Sequence, residues 1–116
     1  MPLLPELRSH SIVFLYPGQG GSPQGSLQAL YSVSDETRQT IDEVIAAVDG
    51  VVEERHQRGH AIATGMVREV LLSPDTGTVL PYGLKQLALY TSAVAMTRVL
   101  RHAGIEPDAA LGESFG

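Results

Sequence analysis

The 116-residue sequence predicts an α/β fold built on a parallel sheet. Three observations predict it. Five apolar β-formers, Ile12-Val13-Phe14-Leu15-Tyr16, run together near the N-terminus. Apolar residues at helical spacing fill the middle of the chain. A short apolar segment, Ala109-Ala110-Leu111, follows the last helical stretch. Strand, loop, helices, strand is the order of a parallel pair joined by a helical crossover.

Residues 1–10 hold two prolines and mixed charge, and are read as an irregular lead-in. Residues 11–116 are read as one domain. The first apolar run is bounded by Ser11 and by Pro17-Gly18. Its unbroken character predicts a strand buried on both faces. Residues 17–26, PGQGGSPQGS, are rich in glycine and proline and predict a tight loop. Ser34 offers an N-cap, with Asp35 and Glu36 in the first turn. Ile41, Val44, Ile45 and Val48 then recur at helical spacing, which predicts a helix over about 35–49 ended by Gly50. Residues 51–72 are expected to hold more helix, with Gly59 and Gly65 as weak points. Residues 73–83 read as a loop. Residues 84–103 carry the clearest helical pattern. Gly104 stands where a C-terminal glycine is expected, and Pro107 blocks continuation.

Composition narrows the function. The net charge is −5 and the eight basic residues are scattered, which argues against nucleic acid and against an anionic membrane surface. There is no cysteine, hence no disulfide framework and no thiol chemistry, a composition compatible with the cytoplasm. No stretch has the roughly 18 consecutive apolar residues of a membrane span. The segment MPLLPELRSH has neither the basic region nor the apolar region of a signal peptide. No internal repeat or low-complexity tract is present.

Two motifs carry chemistry. Gly112-Glu113-Ser114-Phe115-Gly116 fits Gly-x-Ser-x-Gly, the nucleophile elbow that sets a serine on a sharp turn after a strand. Gly18-Gln19-Gly20 follows the first strand directly. In an α/β-hydrolase-like site the oxyanion hole takes one backbone N–H from the residue after the nucleophile and another from a loop after an early strand. Phe115 and Gln19 stand in those two places. The bland readings are a glycine-rich end and a plain tight turn. A phosphate-binding loop fits poorly, because the third spaced glycine and any Gly-Lys-Ser/Thr are missing.

Three stretches together resemble the malonyl-CoA:acyl-carrier-protein transacylases and the acyltransferase domains of polyketide synthases. Val13 to Ser22, VFLYPGQGGS, is similar to that family's opening FPGQGSQ. Lys85-Gln86-Leu87-Ala88-Leu89 is similar to its TQPAL. Arg98 to Gly116 is similar to its helix, GVxPD turn and GHSxG elbow. The likeness is loose between about 50 and 82. It implies an α/β-hydrolase-like parallel sheet with flanking helices, present here as its N-terminal part and incomplete.

The resemblance also implies a reaction. Ser114 attacks a malonyl-CoA or other acyl-CoA thioester, and the phosphopantetheine thiol of an acyl carrier protein then takes the acyl group, in fatty acid or polyketide biosynthesis. Coenzyme A thioester is a substrate, and no bound cofactor or metal is implied. The N–H groups of Gln19 and Phe115 would hold the oxyanion, at about 3 kcal/mol per donor. Gln86 would be a polar group on the substrate side. Two departures stand out. Glu113 replaces the family's histidine before the serine, and Leu87 replaces the TQPAL proline.

The family's catalytic histidine and its carboxylate-binding arginine lie downstream of the elbow. The sequence is therefore read as cut at the elbow, inactive alone, with the remainder as a possible separate partner chain. The alternatives are a degenerate or split acyltransferase-like protein, and an α/β-class serine hydrolase. Of the four histidines, His102 ends the helix before the elbow and is expected at the opposite edge of the sheet from the serine. Glu53, His56 and His60 share a helical spacing that could begin a zinc site, but they read better as a solvated face. His10 suggests no partner. A fragment of this kind is expected to expose sheet edges and apolar helix faces.

Overall fold

The computed structural model describes residues 12–16, 22–59, 61–74, 77, 79–81 and 83–112. Six elements lie among them. Strand β1 is Val13–Tyr16, and helix α1 is the single turn Gln28–Tyr31. Helix α2 is Asp35–His56 and helix α3 is Met66–Leu72. Helix α4 is Leu84–His102, and strand β2 is Ala109–Gly112. The two strands form a parallel pair, with Val13 opposite Ala109 and Tyr16 opposite Gly112. The result is a mixed helix and strand domain, compatible with the expected α/β class. No helix among the described residues is long and apolar enough to cross a membrane.

The helices form where their ends are satisfied and one face can be buried. Ser34 caps α2, its Oγ accepting from the Thr37 N–H at 3.1 Å. Helix α4 stops as expected at Gly104. There the Ile105 N–H reaches the Leu100 carbonyl and the Gly104 N–H reaches that of Arg101, both at 2.9 Å. This double closure puts Gly104 at φ +85°, a conformation glycine adopts without a steric penalty.

The core sits among the helices. Leu27, Ile41, Ile45, Val67, Leu71, Leu84 and Ala88 form one buried cluster, with Leu30, Val48 and Val94 packed against it. The loop before α1 is seated on the end of α3. The Gly25 N–H donates to the Val70 carbonyl at 2.8 Å, and the Leu27 N–H to that of Leu71 at 3.0 Å. Gly25 has φ +71°, and a Cβ there would stand 3.0 Å from the Ser73 carbonyl oxygen. This close approach excludes a larger residue.

Two expectations are corrected. Helix α2 does not end at Gly50 but continues to His56. An exposed glycine inside a helix costs only about 1 kcal/mol, and Val52, one half-turn on, is buried and draws the helix along the core. Strand β1 is not buried on both faces. Phe14 is buried, whereas Val13 and Leu15 are exposed. Among the described elements only α4 covers β1, on one face, and all four residues of β2 are exposed. No strand residue belongs to the core cluster.

Candidate functional site

The sequence places its candidate chemistry at two strand exits. Tyr16 and Gly112 are register partners at the ends of adjacent parallel strands. Tyr16 and Gly112, the last described residues before Gln19 and Ser114 in the sequence, therefore stand side by side at the C-terminal edge of the sheet. In open parallel sheets that edge is where ligands bind. Gln19, Glu113, Ser114 and Phe115 themselves lie outside the described residues, as do His10 and His60.

Side chains anchor β1 at both ends, to the start of β2 and to α4. Asp108 receives the Ile12 N–H on its Oδ2 at 2.6 Å, while its own N–H donates to the Ile12 carbonyl at 2.7 Å. This reciprocal clamp joins the starts of the two strands. At the other end the Tyr16 hydroxyl meets Thr97 Oγ1 on α4 at 2.7 Å. Thr97 gives its single hydroxyl hydrogen to the Ala93 carbonyl, so Tyr16 is the donor. Neither Asp108 nor Tyr16 was singled out from sequence as an aligning group. The signal for Asp108 is its place between Pro107 and an apolar run.

Helix α4 returns antiparallel to the strands, since its C-terminal turn leads to Asp108 at their starts. Its N-terminal turn, with Gln86, lies on the side of the strand exits. Gln86 is half-buried, three turns upstream of the Thr97 contact. His102 is at the other end of α4, on the side where the strands begin. Its Nδ1 is 3.1 Å from Thr40 Oγ1 on α2. Thr40 gives its hydroxyl hydrogen to the Glu36 carbonyl, so Nδ1 is the donor in this contact. His102 thus ties α4 to α2, away from the strand exits.

A cleft of about 450 Å³ runs between β1 and α4, lined in part by Tyr16, Ser26, Ser92, Met96 and Thr97. Ser26 Oγ and Ser92 Oγ share a hydrogen bond of 3.1 Å. Neither hydroxyl is bonded to an imidazole or a carboxylate among the described residues. A serine without such a base is a weak nucleophile, so this pair is structural polarity rather than catalytic machinery.

The strongest electrostatic cluster is on the helical side. Arg68 Nη2 donates to Asp42 Oδ1 at 2.7 Å, and the Tyr31 hydroxyl donates to the same oxygen at 2.8 Å. The Arg38 and Arg68 guanidiniums stand 5.3 and 5.9 Å from the Tyr31 ring centre. Burial alone raises the Asp42 pKa. The hydrogen bonds from Arg68 and Tyr31 outweigh it and hold the carboxyl below its ordinary range. The same bond to Asp42, with that to Tyr31, raises Arg68. The cluster staples α1, α2 and α3 together.

Glu53 accepts from the Thr64 hydroxyl at 2.9 Å, which ties α2 to the loop before α3. Among the described residues no group of three or more His, Asp or Glu side chains could hold a metal ion. No protein-family model matches this chain.

Proposed function

We propose that this chain is the N-terminal part of an acyltransferase that moves a malonyl or related acyl group from coenzyme A to an acyl carrier protein. One observation supports the reading above the others. The parallel register pairs Tyr16 with Gly112, so the Gly-Gln-Gly and Gly-x-Ser-x-Gly segments begin from neighbouring strand ends. Acyl transfer through serine needs that convergence, because the two oxyanion donors must reach one carbonyl oxygen.

In this reading Ser114 Oγ attacks the thioester carbonyl. The carbonyl electrons move to oxygen, where the N–H groups of Gln19 and Phe115 receive them. Collapse of the intermediate breaks the carbon–sulfur bond and releases the coenzyme A thiol. The carrier-protein thiol then attacks the acyl-serine by the reverse route. Gln86 contributes a polar group on the side of the strand exits. The proton from Ser114 needs a base. His102 is remote from the strand exits and does not serve as that base.

The test is made on the polypeptide as its source encodes it, including whatever follows Gly116. Transfer of radiolabelled malonyl from coenzyme A to a carrier protein is followed, with the acyl-serine trapped and located by mass. Ser114→Ala is expected to abolish both the adduct and the transfer. Transfer that survives Ser114→Ala overturns the reading. An acyl-serine that passes its group to water and never to the carrier thiol identifies a serine hydrolase instead.

A further inference from the structure

We propose that the seam between α2 and α4 is a docking groove for an amphipathic helix that carries acidic residues at both ends of an apolar stripe. The groove holds about 450 Å³, and its floor and walls include Val48, Val51, Tyr90 and Val94. Val51 and Tyr90 keep 59% and 57% of their surfaces exposed, so the apolar lining is open to a partner. Among the described residues Arg55 and Arg98 are the only charged side chains that line it. Neither side chain has a hydrogen-bond or ion-pair partner among the described residues.

The geometry selects the occupant. Thr40 on α2 meets His102 on α4, so the two helices run antiparallel. Counting from that contact at 1.5 Å per residue places Arg98 and Arg55 about 16 Å apart along the seam. Two carboxylates about eleven residues apart on a helix span the same distance and share one face. The groove walls are helices whose backbone groups are already bonded within themselves. An extended peptide would find no backbone partner there, whereas a helix brings its own hydrogen bonds. An exposed tyrosine between two arginines also has the composition of an interface hot spot.

A second copy of this chain fits worse. A two-fold pair sets the same patch against itself. One alignment opposes Arg55 to Arg55 and Arg98 to Arg98, and the reversed one opposes Arg55 to Arg98. Both bring like charges together, and an acid-flanked helix reverses that penalty into attraction. The groove is separate from the strand exits, so the inference stands without the proposed acyl transfer.

The experiment uses the 116-residue chain and two synthetic helical peptides with the same leucine stripe. One has glutamates about eleven residues apart at its ends, and the other has lysines there. Binding is measured by fluorescence anisotropy at low salt and in about 0.5 M salt, with folding of each variant checked by circular dichroism. The glutamate peptide is expected to bind at least about tenfold more tightly than the lysine peptide, and to weaken with salt. Tyr90→Ala should weaken it about tenfold. Arg55→Glu with Arg98→Glu should reverse the preference. Equal binding of the two peptides overturns the proposal, as does indifference to charge reversal. A dimer that dissociates on Tyr90→Ala also overturns it, in favour of a second copy.

Discussion

In the helical layer Leu27, Ile41, Val67 and Leu71 have no exposed surface, whereas in the strand pair Leu15 and Leu111 keep 72% and 61% of theirs. The strands are the more apolar in sequence, and the two regions differ in what their backbones require. A helix closes its hydrogen bonds within itself and needs only one covered face. Four-residue parallel strands need neighbours on both edges and cover on both faces. The helical layer meets its own conditions from within the described residues. Each strand is paired on one edge among the described residues, and only β1 is covered, on one face by α4. Stability therefore belongs to the helices, while the candidate chemistry hangs from the ends of the less protected strands.

The sharpest way to break this comparison is to truncate one apolar side chain in each region. Ile41→Ala in the core should cost about 2–5 kcal/mol in chemical denaturation, as buried truncations do. Leu15→Ala, on the bare face of β1, should cost under about 0.5 kcal/mol. A strand truncation as costly as the core one would mean that the bare face is covered in solution. The ends of α2 come next. Ser34→Ala removes the acceptor of the Thr37 N–H and should cost about 1 kcal/mol.

A gain in stability sharpens the contrast further. Gly50 lies within α2, and a Cβ there would meet nothing within 4 Å. Gly50→Ala should stabilise the protein by about 0.5–1 kcal/mol, read as a raised melting temperature. No change would show that α2 is frayed beyond Gly50. The smallest effect is acid dependence. The folded state holds the Asp42 pKa below its unfolded value. Its contribution is thus present above the ordinary aspartate range and is lost as pH falls below about 4. Arg68 and Asp42 are each 41% exposed, so solvent screens the effect. Asp42→Asn should flatten that part of the stability profile measured between about pH 5 and 2.

Much of the helical layer was legible because its signals are local. The Ser34 cap, the Gly104 stop and the apolar repeat of α4 each lie within a few residues of what they control. Gly50 misled because its local penalty is small beside the burial of Val52, a contact made with residues far away in sequence. The aligning roles of Asp108 and Tyr16 were hidden for the same reason, since their partners are 96 and 81 residues distant. Of the candidate site, sequence named the two motifs, and Gln86 alone among its residues is described. The open α2–α4 groove has no sequence motif at all, because it is made from two helices facing each other.

The amino-acid sequence by itself determined the order of the strands and long helices, the start of α2 and the span of α4, for periodicity, caps and breakers act over a few residues. It also set the motifs that follow β1 and β2. Only the tertiary structure decided that Tyr16 pairs with Gly112, that one face of β1 stays bare, and that Arg55 and Arg98 flank an apolar groove. Those outcomes depend on contacts between residues distant along the chain, whose free energies arise only once the helices have packed.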